Sequence, residues 1–506
     1  MKISPLALAT LLAGAAVLAP AAPAHAATFN VRNYGATGNG TTIDSPAIDR
    51  AITAANAAGG GIVEFPAGTY HSRSIHLKSN VTLQLNAGAT IKAASSGIDN
   101  PEPNPYQQYQ DFGHSHFRNA LIWGENVTNV AITGTGTIDG DALERGDSMP
   151  NGKGDKALSL KMCSNVTIRD VTFRRGGHFA ILMNGCHDVA VNNLKILTKE
   201  DRDGFNIINS WNVEVMNSNI QSSDDAIGIK SDFAMGRTFE SHNIRIRNST
   251  IHSEENNALQ FGSETCGNFR DIAFENLNIT GAGKAGIGIV SMDGATISDI
   301  RYDNIRLTKT ASAIFMKIGS RGRCPGKPPA GKIRDISISN VTGSNLTTPA
   351  DVAGDDEYTP TIAGAVGAPI ENIRLTNVKL TLPGGHPASD VNRVPPENNG
   401  AYPPRIYGVR PSYGWWLRHV RGVAFVNSEV QFDRNDGRPA IIVDDGMAIA
   451  LDGVKVERGS SSAYDVGFKS VRGYAIENSS TTTGAPLRVN ASNSTPLPGG
   501  DPRRRG

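Results

Sequence analysis

Apolar and polar residues alternate along most of this chain, and the alternation itself recurs. An Asn or Asp opens each unit, apolar residues follow at every second position, and another Asn often closes it. The unit reads NVTIRDVTF from Asn165, DVAVNNLKI from Asp188, NVEVMNSNI from Asn212 and NIRIRNSTI from Asn243. It continues as DIAFENLNI from Asp271, DIRYDNIRL from Asp299, DISISNVTG from Asp335 and NIRLTNVKL from Asn372. Weaker copies begin at Asn80, Asn126 and Gly422. Period-two alternation is the mark of a strand with one buried face. The first steps between units are 23 and 24 residues, and later ones are 31, 28, 28, 36 and 37. A fixed unit with inserted loops predicts a solenoid.

The pattern therefore predicts an all-β fold, a right-handed parallel β-helix. Each coil supplies short strands, and coils stack about 4.8 Å apart. Recurring Asn residues at equivalent turns are placed to bond to one another up the stack. Helical periodicity is confined to SPAIDRAITAANAAGG from Ser45, which is predicted to cap the first coil. Hairpin signals are few, which disfavours sandwiches and propellers.

The two ends break the pattern. Residues 1–26 carry Lys2, a Leu/Ala-rich stretch and Ala24-His25-Ala26, which reads as a secretory signal peptide. Pro20, Pro23 and the short apolar run argue against a membrane span. The expectation is a secreted, monomeric protein with a single domain over 27–478. Within it, 383–418 is rich in Pro, Gly and aromatic residues and reads as a long loop packed on the solenoid. Trp415 and Trp416 are expected to pack that loop rather than stack on a ligand. Residues 479–506 read as a disordered tail. A formal net charge of +1 gives no support to nucleic-acid binding or a polybasic membrane anchor. The four cysteines match no zinc pattern. Cys163 and Cys186 lie one coil apart, so either they bridge or they are buried thiols.

Candidate chemistry enters with SSDDAIGIKS from Ser222. Alone, Asp224-Asp225 is a solvated turn. The repeat changes that, because Asp203 in the preceding coil falls in nearly the same phase, and Asn257 does so in the next. Asp203, Asp224, Asp225 and Asn257 should form one column, with Gln260 and Glu264 close by. Adjacent side chains on a regular strand point to opposite faces, so the Asp pair predicts a turn or bulge. Separated carboxyl groups with room for a water suit inverting glycoside hydrolysis: one, kept protonated by its neighbours, is the acid, and another is the base.

These residues resemble glycoside hydrolase family 28, the polygalacturonase family. Its Asn-Thr-Asp-Gly motif matches Asp201-Arg202-Asp203-Gly204, and its Asp-Asp motif matches Asp224-Asp225 followed by AIGIKS. NYGATGNG near the start and GTGTIDG from Gly134 are similar to the family as well, and the likeness spans most of 29–430. The resemblance implies a secreted inverting glycosidase acting on a pectic or related polysaccharide or oligosaccharide, with no cofactor and no metal. It implies Asp224 as general acid and Asp203 and Asp225 as bases holding the water.

Two positions depart from the family. Its Gly-His-Gly falls on Asn256-Asn257-Ala258, and its Arg-Ile-Lys on Gly288-Ile289-Val290. Both cations that would grip a uronate carboxylate are missing there. Either the sugar is different, and plain polygalacturonan is a poor substrate, or Lys230, Lys284 or Lys317 substitutes. Lys230 is the best placed by spacing, although a solvated surface lysine is an equal reading. His178 is a candidate sugar contact or a structural residue. His114 and His116 form an H-x-H pair without evident partner ligands, so substrate contact or structure is expected of them rather than metal binding. Arg321 and Arg323 read as surface charges. Two other functions remain open: a polysaccharide lyase using Arg or Lys with Ca²⁺, and a non-catalytic carbohydrate-binding β-helix.

Overall fold

The computed structural model describes residues 27–110, 112–146, 154–349 and 358–497. The leader assigned to 1–26 lies outside the described residues. The chain is almost entirely strand, wound as a parallel β-helix. One coil contributes Phe179–Asn184, His187–Asn192 and Lys195–Thr198. The next contributes Asp203–Ile208, Trp211–Met216 and Asn219–Ser222, each paired in parallel with its counterpart. In the following coil Ile227–Ser231 continues the first sheet of this set, and Ser241–Ser253 continues the other two. Inward positions are stacked apolar side chains: Val189 and Val191, then Val213 and Val215, Ile244 and Ile246, Ile272 and Phe274, all buried. Dropping such residues into register keeps like on like and fills the narrow core.

The Asn and Asp residues that open each unit adopt left-handed backbone, with φ of 55° at Asp188, 52° at Asn212 and 51° at Asn243. That conformation costs most residues about 1–2 kcal/mol and is visited most readily by Gly, Asn and Asp. The side chains also bond up the stack. Asn212 Nδ2 donates to Asp188 Oδ1 at 2.8 Å, and Asn243 Nδ2 to Asn212 Oδ1 at 2.9 Å. Asn372 Nδ2 donates to Asp335 Oδ1 in the same way at 3.0 Å. The repeat is thus both a bend and a ladder.

One sheet differs from the others. His187–Asn192 alternates between buried and more accessible residues, whereas Asp203–Ile208, Ile227–Ser231 and Leu259–Thr265 are buried on both faces. Something covers their outer side. Phe117, from the insertion that precedes Ala120, packs with Phe179, Leu182 and Ile208. Farther along, Tyr407 and Trp416 pack with Phe315, Val290 and Ala285, with Tyr402 against them. The 383–418 segment does lie on the solenoid and contains two short 3-10 turns, Ala388–Asn392 and Pro404–Tyr407. Its bounds need correction, because Ile370–Gly384 and Trp415–Val426 are strands that overlap its ends. Trp416 is fully buried between Tyr407 and Arg418, a packing role.

The helix Ser45–Ala57 starts with Pro46 in its first turn and buries Ala47, Ile48, Ala51, Ile52 and Ala55. Asn56 Nδ2 anchors it to the Ser79 carbonyl at 2.9 Å. No helix among the described residues is long and apolar enough to cross a membrane.

One expectation is overturned and one open alternative is decided. The tail is not disordered from 479: Val489–Ser492 pairs with Val466–Glu477 as a further coil, and only 498–506 lie outside the described residues. Its Ser/Thr-rich composition disguised a coil that makes its ladder with Asn493 Nδ2 on Ser470 Oγ. Cys163 and Cys186 are free and buried, and the disulfide joins Cys266 to Cys324. The stacked thiols satisfy themselves instead: the Cys163 amide donates to Cys186 Sγ, and Cys163 Sγ donates to the Gly124 carbonyl.

Candidate active site

The bend between Asn219–Ser222 and Ile227–Ser231 carries Asp224 and Asp225, so the pair sits in a break between strands, as the alternation argument requires. Backbone bonds then build two columns. Gly204 N–H bonds to the Asp225 carbonyl, Ala226 N–H to Asn257 and Ala258 N–H to Ala285, which stacks Asp203, Asp225 and Asn257. Beside them, Asp224 N–H bonds to the Arg202 carbonyl and Lys284 N–H to the Asn256 carbonyl, which stacks Arg202, Asp224, Asn256 and Lys284.

The first column is sealed. Lys230 Nζ lies 3.0 Å from Asp203 Oδ2 and 3.5 Å from Asp225 Oδ2. Asn206 Nδ2 donates to Asp203 Oδ2 at 2.9 Å, and Asn257 Nδ2 to Asp225 Oδ1 at 3.2 Å. Burial raises Asp203 to about 7, Asp224 and Asp225 adding to the effect and Lys230 opposing it. Burial raises Asp225 as well, again against Lys230. Burial disfavours a charged Lys230, yet Asp203 and Asp225 hold it above the ordinary lysine value. A buried ammonium between two carboxylates keeps both within one site without leaving like charges uncompensated.

Asp224 is the accessible carboxylate, its side chain 26% exposed against 4% for Asp203 and 8% for Asp225. Arg202 Nη2 contacts its Oδ2 at 3.3 Å, and the Asp225 amide and Asn256 Nδ2 donate to Oδ1. Burial alone would raise its pKa, but Lys284, Arg202 and Lys230, with Asn256, outweigh burial and lower it. The crowding argument thus fails for Asp224. Cations flank it, and the groups pushed toward protonation are Asp203 and Asp225.

The other sequence candidates separate. Gln260 pairs in register with Gly228 on one side and Gly288 on the other, and its buried Nε2 has no protein partner. A Cβ at Gly288 would stand 2.2 Å from Gln260 Oε1, so Gln260 fills the space that a longer residue there would need. Glu264 is engaged within the protein: it is 3% exposed and pairs with Arg323 Nη1 at 3.2 Å and Arg321 Nη2 at 3.7 Å. Arg321 is no surface charge either, since it also holds the buried Asp293 at 2.6 Å, while Arg323 stays partly exposed. The Cys266–Cys324 bridge ties this segment to the Glu264 strand end, a pairing across coils that spacing does not reveal. His178 is buried with its ring 4.5 Å from that of Phe179, and its Nδ1–H donates to the Arg145 carbonyl. Burial, with Arg202 and Lys156, pushes it down to about 3, a structural neutral histidine. His114 accepts from Lys230 Nζ through Nε2 at 3.3 Å, and His116 bonds to Ser115. Lys317 is fully buried, its Nζ 2.9 Å from the Tyr407 hydroxyl, away from the carboxylates. Burial lowers it to about 8. Lys230 and Lys317 are therefore engaged, neither as solvated lysines nor as open grips.

Sequence reasoning missed Asn256 as a holder of Asp224, and Tyr402, whose ring lies 5.6 Å from Lys284 Nζ. The signal for Asn256 was present in the column phase. Tyr402 comes from a loop whose docking no repeat predicts.

The profile of glycosyl hydrolases family 28 matches residues 62–401, more than half of the chain. The chain belongs to that family and is a glycosidase. Among named relatives, a polygalacturonase of Juniperus ashei is 24% identical over 402 residues, covering 74% of this chain and 72% of that protein. An exo-poly-alpha-D-galacturonosidase of Dickeya chrysanthemi is 26% identical, covering 65% of this chain and 64% of that one. The family 28 exopolygalacturonase of Yersinia enterocolitica shares the fold with a TM-score of 0.56 at 19% identity, covering 85% of this chain and 78% of that one.

Proposed function

We propose that this glycosidase hydrolyses the bond between galacturonate units of a pectic polysaccharide, from a chain end and with inversion of configuration. The observation that carries the reading is the pairing of two sealed carboxylates, Asp203 and Asp225 on Lys230, with the accessible Asp224 beside them. Asp203 and Asp225 orient and deprotonate a water on one side of the sugar. Asp224 delivers a proton to the departing oxygen on the other. Asp224 has to gain that proton as substrate enters, because the cations around it favour its charged form.

Action at a chain end is supported by the coverings. Phe117 roofs the sheet on the Phe179 side, and Tyr402 and Tyr407 roof it beyond Ala285. Between them the partly accessible groups are Arg202, Asp224 and Lys284. A long polymer cannot lie through a stretch closed on both sides.

A lyase is the weaker reading, because the family whose profile the chain matches is one of glycosyl hydrolases. The same proposal includes a right-handed winding, the common hand of parallel crossovers, with Ser45–Ala57 as its cap. It also includes export and action as a single chain. The Cys266–Cys324 bridge favours an oxidising compartment.

The test is incubation with polygalacturonate and with neutral glycans, following reducing ends, ultraviolet absorbance of a conjugated uronate, and product length. Reducing ends as monomers or dimers, without new absorbance, support the reading. New absorbance, or no release from any pectic substrate, contradicts it.

A further inference from the structure

Most cations near the carboxylates are engaged. Lys230 holds Asp203 and Asp225, Arg202 holds Asp224, Arg321 and Arg323 hold Glu264, and Lys317 is on Tyr407. Lys284 differs. Among the described residues no carboxylate lies within salt-bridge reach of its Nζ, which sits over the Tyr402 ring at 5.6 Å. Lys284 is partly accessible, tops the Arg202–Asp224–Asn256 column, and acts on both Asp224 and Asp225 through its charge.

We infer that Lys284, held under Tyr402, grips the carboxylate of the uronate bound against Asp224, replacing the cations lost at Gly288 and Val290. This rests on the galacturonate reading above and names the residue that selects for it. The geometry supports it from two sides. At 288 the outer face is taken by Gln260, so the strand offers no cation there. Four residues earlier in the same strand, the aromatic ring holds the Lys284 ammonium without neutralising it. An anion is the partner that a partly desolvated ammonium lacks, and a carboxylate supplies it as a charge-assisted bond.

A consequence concerns Asp224. Arg202, Lys230, Lys284 and Asn256 favour its charged form, while burial, Asp203 and Asp225 oppose it, and Tyr402 lies beyond Lys284. A substrate carboxylate on Lys284 cancels one of those positive fields. Binding the correct sugar thereby moves Asp224 toward the protonated acid it has to be, and a neutral sugar does not.

The experiment compares digalacturonate with its methyl ester, by calorimetry on the intact protein and by turnover of short oligomers. Wild type is expected to bind the acid roughly ten- to a hundredfold more tightly than the ester, the range of one charged hydrogen bond. Lys284→Met should level the two, mainly through KM, and Lys284→Arg should restore most of the preference. Equal binding of acid and ester by wild type overturns the inference without any variant, as does an unchanged preference in folded Lys284→Met. Lys284-dependent binding without turnover would contradict the hydrolase reading and leave this one standing.

Discussion

Lys230 Nζ bridges Asp203 Oδ2 and Asp225 Oδ2 at 3.0 and 3.5 Å, and all three side chains are more than nine-tenths buried. The cation makes two neighbouring acids tolerable and holds both toward the charged form that a base requires. Lys230→Met leaves the carboxylates uncompensated. Breaking a buried pair in this way costs about 3–5 kcal/mol, readable in urea denaturation. The acid limb of kcat/KM should move to higher pH, because Asp203 and Asp225 then keep their protons longer. An unmoved acid limb in a folded variant would remove Lys230 from the account.

The proposed mechanism makes Asp224 the group that protonates the leaving oxygen. Asp224→Asn keeps its shape but has no proton of that kind to give. Loss of one general acid costs about 10²–10⁴ in rate. Turnover of oligogalacturonate should fall by that range with the thermal midpoint nearly kept. Near-normal kcat in the folded variant would assign the acid elsewhere.

The coil spacing and the Asn bends were legible because a solenoid repeats its local rules, so Asn212 and Asn243 announce the same turn. The Asp203, Asp225 and Asn257 column followed from the same phase. Contacts that cross coils through insertions of unequal length were not legible. Cys266 with Cys324, Arg321 with Asp293, and Tyr402 over Lys284 each depend on where a loop lands, and residue types alone do not fix that. The sequence also ranked Lys230 above Lys284 by its nearness to the Asp pair. Nearness turned out to mean engagement: Lys230 is spent on the aspartates and Lys284 is not.

His76 lies between two acids, Nδ1 at 2.7 Å from Asp49 and Nε2 at 2.8 Å from Asp99, and joins the helix to the first coils. The Asp49 bond, against partial burial and with help from Asp99, raises it to about 9. A histidine raised from about 6.5 stabilises fully below that value and loses the contribution as pH climbs through about 9. The thermal midpoint should therefore decline between those two pH values, and His76→Gln should flatten the decline. The exposure of the pair keeps the effect small. An identical decline in the variant would contradict it.

Cys266 and Cys324 close a loop with a sequence separation of 58. Loops of this length stabilise by about 2–4 kcal/mol through the unfolded state. Cys324→Ser should lower stability by that amount and loosen Arg321 and Arg323 from Glu264. Denatured, unreduced protein should show two reactive thiols, those of Cys163 and Cys186. Four, or none, would contradict the pairing.

The central claim is a water held by Asp203 and Asp225 attacking opposite the oxygen protonated by Asp224. The stereochemistry of the first product tests it most directly. Proton NMR of α-linked oligogalacturonate during the first turnovers should show the β anomer of the new reducing end appearing before mutarotation. An α anomer formed first, or an unsaturated product in place of a reducing galacturonate, would contradict the account.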